Sequence, residues 1–379
     1  MYRKWIAAIM LLFLCLTGCE VAQGPDNSPS GESTASPYGW QQSPEGLCYL
    51  DDTGMPLTGW QEIDGARYRF SSQGILITGW LNEAEGRYYL DDSGKMLTGI
   101  QEIGGRRYCF RQNGTMVTGW HRQETDTYFF GMDGAMVTGF LDIEGKVYYF
   151  RSDGRMHTGW LELGENRYYL NDQGAMAVGP TEIDGQTCYF NAKGIHILLV
   201  NPWNPLPEGY DPELVNVTEQ DRIAAACSEA LLQMLEDCTA AGYEPTIVSA
   251  YRTQEDQEFL FERKVKFYMD AEWPREDAER LAATSVAVPG TSEHQLGLAV
   301  DIIGSEYPYL DDYQANTPSQ QWLMAHCHEY GFILRYPKGT TDITGIIYEP
   351  WHYRYVGTQI AREITDLGIT LEEYLGATH

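Results

Sequence analysis

Positive charge is scarce in this sequence. Only 26 Lys and Arg stand against 54 Asp and Glu, a formal net charge of -28 over 379 residues, which argues against general nucleic-acid binding because phosphate contact needs a basic face. Long apolar runs are missing too. The one sustained run, residues 5–16, is shorter than the roughly 20 apolar residues of a spanning helix. Cysteine is sparse and scattered, eight residues in all, so no disulfide framework is read from it. Cys227 and Cys238 fall on nearly one face of an expected helix, about 16 Å apart at about 1.5 Å per residue, and cannot bridge each other. Cys48, Cys109 and Cys188 occupy positions that other copies of an internal repeat fill with Tyr or Arg, and they read as small packed thiols rather than metal ligands.

The amino terminus reads as an address. Arg3 and Lys4 precede the apolar run, which has the length of a signal-peptide core. Leu16-Thr17-Gly18-Cys19 follows. This resembles the lipobox of bacterial lipoproteins, which implies that residues 1–18 are removed and that Cys19 carries lipid. A plain cleaved signal or an uncleaved anchor is the alternative, and each places the remainder outside the cytoplasm. Residues 20–37 are rich in Ser, Pro, Gly, Asp and Glu, so 19–38 is expected to be the lipidated Cys and a disordered tether.

What the chain has in excess is aromatic: 26 Tyr and 10 Trp, concentrated in the first half. A Gly-aromatic pair recurs every twenty residues at Gly39-Trp40, Gly59-Trp60, Gly79-Trp80, Gly119-Trp120, Gly139-Phe140 and Gly159-Trp160, with Gly99-Ile100 and Gly179-Pro180 in register. Repetition at this period signals a solenoid. Each copy holds two short β-prone runs around a turn such as Asp64-Gly65 or Glu144-Gly145, the chemistry of a tight hairpin. A lone hairpin is unstable in water, so successive hairpins must stack. Residues 39–197 are therefore expected to be an all-β solenoid of hairpins.

The period, the Gly-Trp pair, the paired aromatics such as Tyr88-Tyr89 and the Met-x-Thr-Gly runs at 96–99 and 116–119 resemble the choline-binding, or cell-wall-binding, repeats of Gram-positive surface proteins. The resemblance implies ligand sites between neighbouring hairpins, where aromatic faces attract a quaternary ammonium. Trp40, Trp60, Trp80, Trp120 and Trp160 are the candidate contacts for an envelope ligand, with a purely structural core as the open alternative. The family usually places Trp before its tyrosine pair, whereas Arg87, Thr127, Val147 and Arg167 stand there in this sequence. Envelope binding is retained as an expectation, to a choline-bearing polymer or another teichoic acid or glycan.

The period stops after Gly194, and Pro205-Leu206-Pro207 marks a crossing. Residues 198–379 are expected to form a separate α+β domain. The patterns predict helices over 218–241 with Thr218 as N-cap, 254–269, 274–283 and 319–330, and strands over 247–251, 298–303, 346–348 and 351–355. Asp301 interrupts the apolar run 298–303. A carboxylate there needs a cation or a metal. His294 precedes that run, and His352 follows Glu349 in an aromatic segment. Two imidazoles and a carboxylate are a ligand set that leaves zinc a fourth position for water, with Glu349 as the base. Arg252, after the strand ending at Tyr251, is a fixed cation for a carboxylate or oxyanion. Spacing alone leaves open whether these residues hold a metal or are hydrogen-bonded core.

In order along the chain, 249–253 with Gln257, then Pro289-Gly290-Thr291-Ser292-Glu293-His294 through Asp301, then Glu349-Pro350-Trp351-His352-Tyr353-Arg354, are similar to the VanY-type D-alanyl-D-alanine carboxypeptidases. The resemblance implies one zinc ion on His294, Asp301 and His352, Glu349 as catalytic base and Arg252 as the arginine of the site. Gln257 and Ser292 are weaker candidates for orienting the peptide. The expected substrates are peptidoglycan stem peptides, and the expected place is the outer face of the membrane, reached through the lipid alone. The alternatives are an L,D-carboxypeptidase that trims tetrapeptide stems, and an envelope-binding adhesin whose peptidase domain is inactive.

Overall fold

The turn chemistry of the first half is realised as drawn. In this computed structural model, which describes residues 38–377, eight antiparallel hairpins run from Gly39–Ser43 with Gly46–Leu50 to Gly179–Ile183 with Gln186–Phe190. The leader, Cys19 and the tether lie outside the described residues. No described helix is long and apolar enough to cross a membrane. Asp64, Glu144 and Asp184 take positive φ with the glycine that follows each, the geometry whose twist matches paired strands.

The described residues divide into two compact units, one of 38–101 with 110–116, the other of 102–109 with 117–377. Hairpins are joined by short segments that end on the glycine opening the next strand, among them Met96-Leu97-Thr98-Gly99 and Met156-His157-Thr158-Gly159. In the first unit Met96 N donates to Arg67 O at 2.8 Å. In the second, Met136, Met156 and Met176 donate in the same way to Arg107, Thr127 and Val147. The turns before these segments bring a glycine against the preceding methionine: at Gly154, with φ +88°, an added Cβ would sit 2.2 Å from Met136 Sδ. The inward ring or leucine of the second strand is wholly buried at Phe70, Leu90, Phe130, Phe150 and Leu170.

The second unit continues from the hairpins into the α+β domain without a break. Its last hairpin gains a third strand, His196–Ile197, paired with Tyr189 and Phe190. Tyr189, Ile197 and Leu199 then pack with Ile333, Ile360, Ile364, Leu371 and Leu375 in one apolar cluster. Tyr189 Oη donates to Asn204 Oδ1 at 2.7 Å, and Lys193 pairs with Glu363 at 2.7 Å.

Four antiparallel strands form the domain's sheet, in the order Pro245–Ser249, Ala299–Gly304, His352–Tyr355, Phe332–Leu334. Ala299–Gly304 is buried throughout. One face carries the helix Ala225–Ala240, whose Cys227, Leu231, Met234 and Cys238 pack with Val300, Ile302 and Tyr353. Gln254–Asp270 begins on a Thr253–Asp256 capping box, and Arg275–Ala283 follows Pro274. All six described cysteines are free.

Three expected elements differ. The helix predicted from Thr218 starts at Ala225, because Leu214–Asn216 and Arg222–Ala224 pair as a hairpin. Thr218 Oγ1 does accept from the amide three residues on, Asp221 N at 2.8 Å, but that bond closes the turn of the hairpin. Residues 346–348 make no strand: Ile347 N bonds to Thr284 O and Ile346 N to Thr344 Oγ1. The segment 319–330 is a helix, Pro318–His326, followed by a 3-10 turn, Cys327–Tyr330, that stops at Gly331 with φ +85°.

Candidate metal centre

Strand register brings the first two candidates together. Asp301 lies opposite His352 on one neighbouring strand and opposite Ser249 on the other. His294 stands on the 3-10 turn Glu293–Leu296, which Gly297 ends at φ +69° before the central strand begins. A side chain at Gly297 would meet Ala224 N at 3.1 Å, so the turn is pressed against the hairpin beneath it. His294, Asp301 and His352 are all buried, and one ligand atom from each lies within 4.8 Å of the others.

Hydrogen bonds decide which atoms face inward. His294 Nδ1 is 2.6 Å from Ala250 O; a carbonyl only accepts, so Nδ1 carries the proton and Nε2 keeps its lone pair. Nε2 is 3.2 Å from Asp301 Oδ2, and His352 Nδ1 is 3.0 Å from Asp301 Oδ1. Two imidazole nitrogens and a carboxylate, one ring already fixed in tautomer by a carbonyl, form a donor set that fits a zinc-like cation.

Charge around the three is unevenly matched. Burial lowers His294 to about 4, with Arg252 adding to the effect. Burial opposes ionisation of Asp301, but the two histidines hold it well below the usual carboxylate range. His352 is raised to about 9: burial acts against protonation, and bonds to Asp301 and Glu293 outweigh it. Glu349, three residues before His352, has Oε2 at 3.8 Å from His352 Nδ1. Burial pushes its carboxyl up to about 8. A divalent cation on the three ligands would act in the opposite direction and favour the carboxylate.

Arg252 joins the site, with one bond from each of its three nitrogens. Its Nη2 donates to Asp301 Oδ2 at 2.8 Å, its Nε to Ser249 Oγ at 2.8 Å and its Nη1 to Gln257 Oε1 at 3.3 Å. Gln257 is completely buried and donates to Ala287 O at 2.7 Å, so it orients the guanidinium. Ser292 is buried at the start of the 3-10 turn. The five tryptophans stay in the hairpins, where each packs on rings of its own or the following hairpin.

Sequence reasoning assigned no role to the charges under the site. Glu293 Oε1 accepts from Arg335 Nε and Arg354 Nη1, each at 2.8 Å. Arg335 reaches Glu372 with its other two nitrogens, and Asn201 Nδ2 donates to Glu372 Oε1 at 3.0 Å. Glu293 Oε2 is left 3.6 Å from His352 Nε2. The signal in the sequence was the placing of Glu293 beside His294 and Arg354 two residues after His352, but only the folded chain shows that these charges answer one another.

A buried His-Asp-His cluster with an adjoining carboxyl and guanidinium defines a metallohydrolase-like centre. Residues 220–358 match the family profile described as VanY, D-alanyl-D-alanine carboxypeptidase, and residues 57–98, 97–139 and 137–180 match the choline-binding repeat. A bifunctional D-Ala-D-Ala dipeptidase and D-Ala-D-Ala carboxypeptidase, VanXYC of Enterococcus gallinarum, is 37% identical over 183 residues, 46% of this chain and 91% of that protein. A D-alanyl-D-alanine carboxypeptidase of Enterococcus faecalis is 42% identical over 179 residues, 47% of this chain, of which this chain spans 65%. A zinc-bound crystal structure of the D,D-pentapeptidase VanY from a VanB-type resistance cassette is 42% identical, covers 47% of this chain and 97% of that one, and gives a TM-score of 0.44. The chain belongs to the VanY D-alanyl-D-alanine carboxypeptidase family.

Proposed function

We propose that the chain is a zinc D-alanyl-D-alanine carboxypeptidase that removes the terminal D-alanine from peptidoglycan stem peptides, and that its repeats hold it on a wall polymer. The observation that carries the reading is the convergence of His294, Asp301 and His352 within 4.8 Å beside the Glu349 carboxyl, in a family member with every implied ligand present. His294 Nε2, one Asp301 oxygen and His352 Nδ1 would hold the metal. When bound, zinc supplies a Lewis acid that lowers the pKa of water towards about 7 and polarises a carbonyl.

The chain's own groups do the rest. Glu349 accepts the proton of the attacking water and returns it to the leaving amine of D-alanine, a transfer that its buried position near the ligands favours. Arg252, aimed by Ser249 and Gln257, donates N–H to the terminal carboxylate or the developing oxyanion. Ser292 helps orient the peptide. Upstream, Cys19 carries the lipid and residues 20–37 act as tether, so that lipid and repeats together raise the local concentration of stems without adding a contact to the site.

The test is incubation of the full chain with pentapeptide and tetrapeptide stems, with and without a chelator, read by mass. Loss of one D-alanine from the pentapeptide, abolished by the chelator, is expected. Trimming of the tetrapeptide with the pentapeptide left intact would replace this reading with the L,D activity, and no metal uptake would replace it with an inactive adhesin.

A further inference from the structure

The repeats differ from one another at one position, and the difference decides what can reach the tryptophan face. Seven residues after the Gly-aromatic ring stand Leu47, Arg67, Arg87, Thr127, Val147 and Arg167 in the copies that begin on a ring. Register places Arg67, Arg87 and Arg167 opposite Glu62, Asn82 and Glu162. Each is thus diagonal to the tryptophan two residues earlier on the facing strand, with both side chains on one face. The guanidinium carbons lie 4.8 Å from the Trp60 ring centre, 3.9 Å from Trp80 and 4.0 Å from Trp160.

Exposure follows the same division. Trp40, Trp120 and Phe140, whose hairpins carry Leu, Thr and Val, are 37%, 44% and 42% exposed, whereas the three covered indoles are half-buried. The place a quaternary ammonium would take on those indoles is filled by a cation of the chain itself. A stacked guanidinium still presents its N–H groups in the plane of the fork, the geometry that meets two oxygens of a phosphate or carboxylate.

Those donors are largely uncommitted. Arg67 and Arg87 have no carboxylate within ion-pair distance among the described residues, and Arg87 Nε is buried with no partner. Glu83, near Arg67, is taken up by Trp60 Nε1 and Arg69 Nε at 2.7 Å each. Arg167 Nε has only Glu162 at 3.7 Å, both side chains being solvent-exposed. Arg167 and Trp160 also line a cavity of about 970 Å³ with Trp203, Asn204 and Tyr210, space enough for a sugar-phosphate unit.

We propose that Arg67, Arg87 and Arg167 make the second, third and seventh repeats seats for an anionic polymer, closed to quaternary ammonium. The choice of a polymer as ligand rests on the wall-binding reading above; the closure of the indole faces does not. Each guanidinium accepts a two-oxygen anion, either a phosphodiester or a uronate carboxylate.

The experiment titrates the full chain with choline chloride, poly(glycerol phosphate) and polygalacturonate, following the indole N–H resonances by NMR, alongside pelleting with purified cell walls. The parent should bind one polyanion, more weakly at higher salt, and the arm that responds identifies phosphate or carboxylate as the source. Choline should leave the Trp60, Trp80 and Trp160 signals unmoved. Arg67→Gln, Arg87→Gln and Arg167→Gln together should weaken polyanion binding at least tenfold while hydrolysis of a soluble pentapeptide is unchanged. The proposal falls if the triple variant binds polyanion as well as the parent, if the parent binds neither polyanion, or if choline shifts those three indoles. Wall pelleting separates the two ideas: pelleting without polyanion binding sinks the seats alone, and no pelleting sinks the wall-binding reading with them.

Discussion

His352 is held on Nδ1 by Asp301 at 3.0 Å, while its Nε2 faces Glu293 Oε2 at 3.6 Å, beyond hydrogen-bond length, neither of those two atoms having another partner. If His352 is a metal ligand through Nδ1, its proton sits on Nε2, and the Glu293 carboxylate facing that nitrogen would favour this tautomer without touching the metal. Glu293→Gln, which keeps an acceptor oxygen, is expected to bind zinc less tightly by about 10-fold, within the 10–100-fold range for such partners, measured by chelator competition and by the ring nitrogen shifts of His352. Glu293→Ala should also lose stability, by about 3–5 kcal/mol, because Arg335 and Arg354 are left buried without their carboxylate. Glu349→Gln is expected to keep zinc, by metal analysis, while turnover falls by at least 10²-fold. The candidate ligand residues were legible because each is a polar group where an apolar strand or an aromatic run leads one to expect none. The engagement of Arg252 with Asp301 was not, since nothing in a sequence says which of several carboxylates a guanidinium will meet.

Elements were legible wherever local chemistry and long-range packing agree. The hairpins follow from turn residues that need positive φ, and Gln254–Asp270 from its capping box. The prediction of a helix from Thr218 went wrong because capping and turn formation use the same bond, from a hydroxyl to an amide three residues on, and burial of Ile223 against the sheet decided between them. Gly297 tests how far such packing governs the site. Gly297→Ala combines a φ of +69° with a 3.1 Å approach to Ala224 N, whereas Gly209→Ala has φ +70° and open space. The strain common to both is about 1–3 kcal/mol. Gly297→Ala should exceed Gly209→Ala in urea denaturation and lower zinc affinity as well, while Gly209→Ala leaves affinity unchanged.

At the scale of the molecule, the last hairpin and the α+β domain share one apolar cluster, so a fragment beginning at 198 should melt below one beginning at 178, with Tyr189 and Ile197 restored to the packing of Leu371 and Leu375. Acid should loosen the same region. Burial, with Arg167 adding to it, lowers His196 to about 4, against about 6.5 in an unfolded chain. Between those values the unfolded chain takes up a proton that the folded one refuses, so the contribution is complete above about 6.5 and is lost as pH falls towards 4. Melting temperature followed over that range should decline, and His196→Gln should flatten the decline. The sequence marked where the repeats stop, but periodicity ends before shared packing does, and the extent of that packing was legible only in the fold.

The run of charges from His352 through Glu293, Arg335 and Glu372 ends on Asn201, just past the point where the chain leaves its last hairpin. This limits how freely the parts can be exchanged. A repeat array from another protein could be grafted ahead of this domain only if the splice lies upstream of the hairpin ending at Phe190, because a seam at the crossing itself would cut into the outermost support of the His352 imidazole. The module that can be transplanted is therefore larger than the α+β domain, and its first strand already bears the marks of a repeat.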